Sequence, residues 1–187
     1  SNEKNEISEN VTQKKLSKPK YETIFTFSKL DNWIEKTKNS KLVSIDTETT
    51  STNSMNAKLV GMSFSTEPGK AWYVPVGHSE GKQLPATNVF EKLRPLLKNE
   101  RIPKVAHNAN YDLTVLSNHD IDVSCLRFDS MLAAHMSGMK AIGLKSLAFA
   151  AISWPIKWLN CLCRASKCFL FLVILFIDEY PLRKESH

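Results

Sequence analysis

No apolar stretch in this 187-residue chain is long enough to cross a membrane. The longest run, CFLFLVILFI at 168–177, has 10 residues, half of the roughly 20 that a spanning helix needs. A buried strand is the simpler reading of that run, and no membrane partner is expected. Glycine and proline are scarce, at 6 and 8 residues, which excludes collagen-like and low-complexity chains. Cysteine is also sparse and oddly placed. Cys125 stands alone, and Cys161, Cys163 and Cys168 cluster late. Their spacing lacks the paired C-x2-C of zinc modules and no histidine is near, so free thiols are expected rather than a metal site. Residues 1–20 carry no apolar leader-like run, and a cytoplasmic location is the expectation. No repeat of 20–50 residues is visible.

What remains has the balance of a globular protein, with 42% hydrophobic and 24% charged residues. The net charge of +6 is spread thinly along the chain. Such an excess permits a polyanionic partner without demanding one. Residues 1–20 read as a disordered linker in a piece of a longer chain. Residues 21–160 read as one domain, and 161–187 as an atypical apolar, Cys-rich tail.

Alternation in YETIFTF predicts a strand, and Ser28 is a candidate cap for a helix through DNWIEKTKN. LVSID at 42–46, AKLVGMSFS at 57–65 and AWYVPVG at 71–77 predict three strands in an antiparallel meander. A helix over 87–98 would be capped by Thr87 and disturbed by Pro95. KVAH at 104–107 predicts a buried strand, NYDLTVLSNH a helix, and MLAAHM another, capped by Asp129 or Ser130. GLKSLAFAA closes the patterned part. The sum is an α/β domain with a mixed sheet flanked by helices.

Two segments carry chemistry. In IDTETTS, Asp46 and Glu48 are two apart on a strand, so both leave the same face. Paired carboxylates repel unless a cation lies between them, and hard oxygen donors suit Mg²⁺ or Mn²⁺. Two solvated carboxylates on an edge strand are the plain alternative. In AHNANYDLTVL, Asn108 follows a buried strand and Asp112 lies one helical turn on. Asn108 as an N-cap and Asp112 as a first-turn acid would also account for that pattern.

Together these segments resemble the 3′→5′ proofreading exonuclease domains of bacterial family A DNA polymerases, polymerase I. More broadly they resemble the DEDD exonucleases of ribonuclease-H-like fold. Asp46 and Glu48 match the family's D-x-E, and Asn108, Tyr111 and Asp112 match its N-x3-D with a preceding aromatic. The text NAKLVGMSFSTEPGKAWYVPVGH, then FDSMLAAHM and GLKSLAF, follows in the same order. The resemblance spans roughly residues 20–150 and implies a two-metal nuclease. Asp46 would bridge both ions, with Glu48 on one and Asp112 on the other, the ions being about 3.5–4 Å apart. It implies a single-stranded or frayed 3′ DNA end as substrate, nucleoside monophosphates as product, and a polymerase domain in cis. Thr47, Thr49 and Asn108 match contacts to the terminal nucleotide and scissile phosphate. Tyr111 is grouped with them, although a place packed under the motif suits it better than a stacking role. His107, beside Asn108, reads as packed or solvated rather than catalytic.

The family's third motif, Tyr-x3-Asp, has no counterpart. The only late tyrosine, Tyr180, has Lys184 four places on. A truncated or frame-shifted polymerase reading is the expectation, with a non-cutting nucleic-acid-binding domain or an inactive fragment as alternatives. Asp129 is the tempting substitute acid, but a cap before MLAAHM gives it a sufficient structural task.

Overall fold

The computed structural model describes residues 20–147. The expected linker at 1–19 and tail at 161–187 lie outside them, as does the end of the GLKSLAFAA segment. Lys20, placed with the linker by sequence, instead opens the first strand. The elements run β1 (Lys20–Thr23), α1 (Phe27–Thr37), β2 (Val43–Thr49), β3 (Leu59–Glu67), β4 (Lys70–Pro75), α2 (Ala86–Leu97), β5 (Lys104–Ala106), α3 (Ala109–Ser117), β6 (Leu126–Asp129) and α4 (Ser130–Met136). Among the described residues the strands form one six-stranded sheet in the order β1-β4-β3-β2-β5-β6.

The expected meander is present: β2 pairs antiparallel with β3, and β3 with β4. The outer pairs β1–β4, β2–β5 and β5–β6 are parallel, so the sheet is mixed. One face is apolar. Val43, Ile45, Met62, Phe64 and Val74 are buried there, and the Trp33 ring of α1 lies 4.7 Å from that of Phe64. Leu30, Trp33, Ile34 and Thr37 are the buried positions of α1, the one-sided stripe that a 3.6-residue period places against a sheet. Val89, Phe90, Leu93, Leu96 and Leu97 do the same for α2.

Several local expectations are corrected. The strand read through YETIFTF ends at Thr23, and Thr26, not Ser28, is the cap of α1, accepting from the Lys29 N–H at 3.3 Å. Helix α2 starts at Ala86 behind Pro85 and has no side-chain cap, so Thr87 does not serve. It continues past Pro95 to Leu97. Proline costs one intrahelical hydrogen bond there, and the buried leucines on either side outweigh it. Strand β6 had no expectation, because LRFD is short and polar at both ends of a single aromatic.

Strand β6 lends its last residue to a neighbouring turn. Its parallel register sets Asp129 beside Ala106, the last residue of β5. Asp129 therefore sits next to the turn that leads into α3. Its Oδ1 accepts from the Asn108 N–H at 3.0 Å and its Oδ2 from the Ala109 N–H at 2.7 Å. The same Oδ1 caps α4 by accepting from the Met131 and Leu132 N–H groups at 2.8 and 3.2 Å. One carboxylate thus satisfies orphan donors at two helix starts. Asp129→Ala should lower the stability of the full chain by about 2–4 kcal/mol, since each lost cap costs about 1–2 kcal/mol. Urea unfolding measures this, and a loss near that of an ordinary single cap would mean that only one helix depends on Asp129.

Candidate active site

The site lies where β2 outruns its neighbour. Strand β5 is only three residues long and pairs with β2 at Val43 and Ser44 alone. Beyond Ser44 the β5 side of β2 has no strand partner, and the start of α3 fills the gap. Asp112 is on the buried stripe of α3 with Ala109, Val115 and Leu116. A lone acid on an otherwise apolar stripe needs a partner. Thr47 supplies two. Its N–H donates to Asp112 Oδ1 at 2.8 Å and its hydroxyl donates to the same oxygen at 2.6 Å. This fixes the carboxylate against β2 and leaves Oδ2 outside both bonds.

The turn from β5 to α3 passes through Asn108, at φ 61° and ψ 45°. Asparagine is among the few non-glycine residues that tolerate this left-handed region. Asn108 stands at the N-cap position, but its side chain caps nothing; Asp129 does that work instead. The Asn108 side chain is thereby available to the cleft.

Across the gap, Asp46 and Glu48 leave β2 on one face, opposite Ser63 and Gly61 of β3. The ladder slips between Glu48 and Thr49, an irregularity that re-aims the end of the strand. Thr49 then meets Tyr111. Its hydroxyl lies 2.5 Å from the Tyr111 phenol, which also donates to the Ser51 carbonyl. Tyr111 is thus packed against the apolar core with its hydroxyl tied to the loop after β2.

These elements enclose an open cleft of about 730 Å³. All seven residues singled out by sequence line it: Asp46, Thr47, Glu48, Thr49, Asn108, Tyr111 and Asp112. His107, Met131 and the hydroxyl run Thr50–Thr52 complete the lining. Met131 and that run were not expected; a methionine after a capped turn and a polar loop carry no distinctive sequence signal. His107, half-buried at the cleft, meets Ser130 Oγ at 2.8 Å through Nδ1. Burial lowers its pKa, with Asp129 opposing.

The electrostatics are those of crowded acids. Burial, then the charges of Asp112 and Glu48, push the Asp46 carboxyl well above the usual carboxylate range. Asp112 is raised to about 6, chiefly by burial, although both Thr47 bonds favour its ionised form. A hard divalent cation would relieve this repulsion, and an all-oxygen donor set fits Mg²⁺ or Mn²⁺. Among the described residues no three His, Cys, Asp or Glu stand close enough to enclose an ion unaided.

A family model for 3′-5′ exonucleases matches residues 21–164. DNA polymerase I of Chloroflexus aurantiacus is 40% identical over 126 residues, 67% of this chain and 13% of that protein. DNA polymerase I of Pseudomonas aeruginosa is 32% identical over 144 residues, covering 71% of this chain and 16% of the polymerase. The chain therefore spans about a seventh of these relatives. In fold it matches Escherichia coli RNase D, an exoribonuclease, with a TM-score of 0.65 at 16% identity over 86% of this chain and 44% of that one. The mixed sheet is thus that of the ribonuclease-H-like exonucleases.

The raised acids carry a sign. A carboxyl whose folded pKa exceeds its unfolded value stabilises the fold fully below about pH 4 and loses that contribution as pH rises through the folded pKa. Without divalent ions, Asp46→Asn should match wild type near pH 4 and become the more stable of the two as pH rises to 7–8. Thermal melts in EDTA across that range test this. A variant less stable than wild type at both ends would show that the acids do not repel.

Proposed function

Because the chain belongs to the 3′-5′ exonuclease family of DNA polymerase I, we propose that it forms a metal-dependent proofreading site that hydrolyses DNA from its 3′ end to nucleoside monophosphates. One observation carries this reading. Acids and polar groups some 65 residues apart in sequence line one cleft, and the most buried of them by exposure, Asp112, is pinned to the strand that bears the others. Asp46, Glu48 and Asp112 would hold Mg²⁺ or Mn²⁺, with Asp46 between the other two. Bound there, the ions would polarise the scissile phosphate and lower the pKa of an attacking water. Thr47 orients Asp112 and favours its ionised form against the effect of burial. Asn108, with its N-cap duty taken over by Asp129, offers an amide to the terminal nucleotide, and the Thr49–Tyr111 pair braces the loop beneath it. A frayed or single-stranded 3′ end fits an open, polar cleft, and a polymerase domain in cis would deliver it. Among the described residues no helix is long and apolar enough to cross a membrane, and a cytoplasmic setting goes with the same reading.

A second reading rests on a specific sequence fact. None of the four tyrosines, Tyr21, Tyr73, Tyr111 and Tyr180, has an aspartate four places on. As written, the chain lacks the acid and the water-orienting hydroxyl of the third motif, and a domain that holds a 3′ end without cutting it is the alternative.

Release of mononucleotides from a 3′-labelled single strand with Mg²⁺ separates the two. The comparator is a chimera whose residues after about 150 come from a bacterial polymerase I. The chain itself should be slower by a factor of about 10²–10⁴, the usual loss for a missing ligand or orienting group. Asp46→Asn should silence the chimera. Equal rates for chain and chimera would mean that another group completes the site. Mn²⁺ should also raise the melting temperature of the wild-type chain, and Asp46→Asn should remove most of that gain.

A further inference from the structure

Behind Glu48, on the side away from the cleft, stands a tyrosine–histidine pair that the catalytic reading leaves unused. The strand register places it. Asp46 lies opposite Ser63 and Glu48 opposite Gly61, while on the far side of β3 Tyr73 lies opposite Ser63 and Pro75 opposite Gly61. All of these residues therefore share one face of the sheet. The Tyr73 ring does not stay in its own row. A Cβ built on Gly61 would fall 2.1 Å from the Tyr73 hydroxyl oxygen and 2.4 Å from Cζ. The ring thus leans over Gly61 and carries its hydroxyl into the row of Glu48. Only glycine at 61 leaves room for it.

The hydroxyl is held there from behind. It lies 2.6 Å from His78 Nε2, and the two rings meet edge to face at 5.8 Å. His78 is fixed in turn by Gln83, whose amide accepts from the His78 N–H at 2.8 Å and donates to the His78 carbonyl at 2.9 Å. Tyr73 is buried and His78 is exposed, and neither lines the cleft. A phenol has one proton to donate, and a carboxylate is an acceptor only.

We propose that Tyr73 and His78 are positioning residues for Glu48: His78, donating from Nε2, anchors the phenol oxygen over Gly61, and the phenol donates its one proton to the Glu48 carboxylate, turning its other oxygen toward the cation site. The inference rests on Glu48 being a metal ligand. Hydrogen bonds behind a ligand restrict its rotamers and raise metal affinity, commonly by a factor of about 10–100.

The test is Mn²⁺ binding to the full 187-residue chain, read from the electron paramagnetic resonance of the free ion, with no substrate or turnover. Tyr73→Phe keeps the ring and deletes the donor; His78→Ala frees the phenol from an exposed position that cannot unfold the core. Each should raise the Mn²⁺ dissociation constant by about tenfold. His78→Gln, which can place an amide where Nε2 stands, should remain within about twofold of wild type, and Gly61→Ala should behave as Tyr73→Phe does. Far-UV circular dichroism and urea midpoints accompany each variant. Should Tyr73→Phe fail to fold, His78→Ala carries the test alone. Unchanged affinity in His78→Ala and Tyr73→Phe overturns the proposal, as does lowered stability with unchanged affinity. Glu48→Gln distinguishes the two levels. If it weakens Mn²⁺ binding while the tyrosine and histidine variants do not, only this inference fails. If it leaves binding unchanged, the reading of the site fails with it.

Discussion

The two hydrogen bonds from Thr47 to Asp112 Oδ1 hold the candidate site together. They are the point where β2, with its half-buried acids, and α3, with its buried one, become one object. Each half could fold without the other's chemistry. Strand β2 needs only its ladder to β3, and α3 needs only its apolar stripe. Asp112, however, would be an unpaired acid on that stripe without Thr47, at a cost of several kcal/mol or a lost charge. The opening that lets Thr47 reach it exists because β5 stops after three residues. A longer β5 would pair with Thr47 and close the cleft.

Around that link the structure balances attraction against repulsion. Thr47 lowers the pKa of Asp112, burial and Asp129 raise it, and the sum leaves it near 6. Asp46 has no donor of comparable strength among the described residues and is raised further by its neighbours. Acids that are crowded and incompletely compensated store free energy that a cation would release. Crowding of this kind is a common signature of a functional site.

The outline of this arrangement could be read from the sequence because it depends on short-range periodicity. Asp46 and Glu48 share a face by the two-residue repeat of a strand, and Asp112 follows Asn108 by one helical turn. The apolar runs LVSID at 42–46 and KVAH at 104–107 told where those segments sit. What could not be read depends on pairing across the chain. Strand β6 has weak local character and exists because β5 accepts it in parallel. Asp129 as a brace for two helices follows from that pairing and from nothing in its own neighbourhood. Thr26 displaced Ser28 as a cap, and Pro85 displaced Thr87, because burial of Leu30 and of Val89 with Phe90 set where each helix begins. Tyr73 over Gly61 likewise requires knowing the register between β3 and β4.

That pairing also decides what Asp129 can do. A carboxylate offers about four lone-pair sites. Oδ1 of Asp129 receives the N–H groups of Asn108, Met131 and Leu132, and Oδ2 receives that of Ala109. Both oxygens face helix starts, and neither lines the cleft. Turning this side chain toward a cation would leave four backbone donors without a partner and release the turn that presents Asn108. Asp129 therefore serves the site by shaping it, and the acids of the cleft are Asp46, Glu48 and Asp112 alone among the described residues. A two-metal site that needs a fourth carboxylate must draw it from outside residues 20–147. Around β2 and α3 the described residues bring three acids to one cleft, and the donors that hold Asp129 keep it from being a fourth.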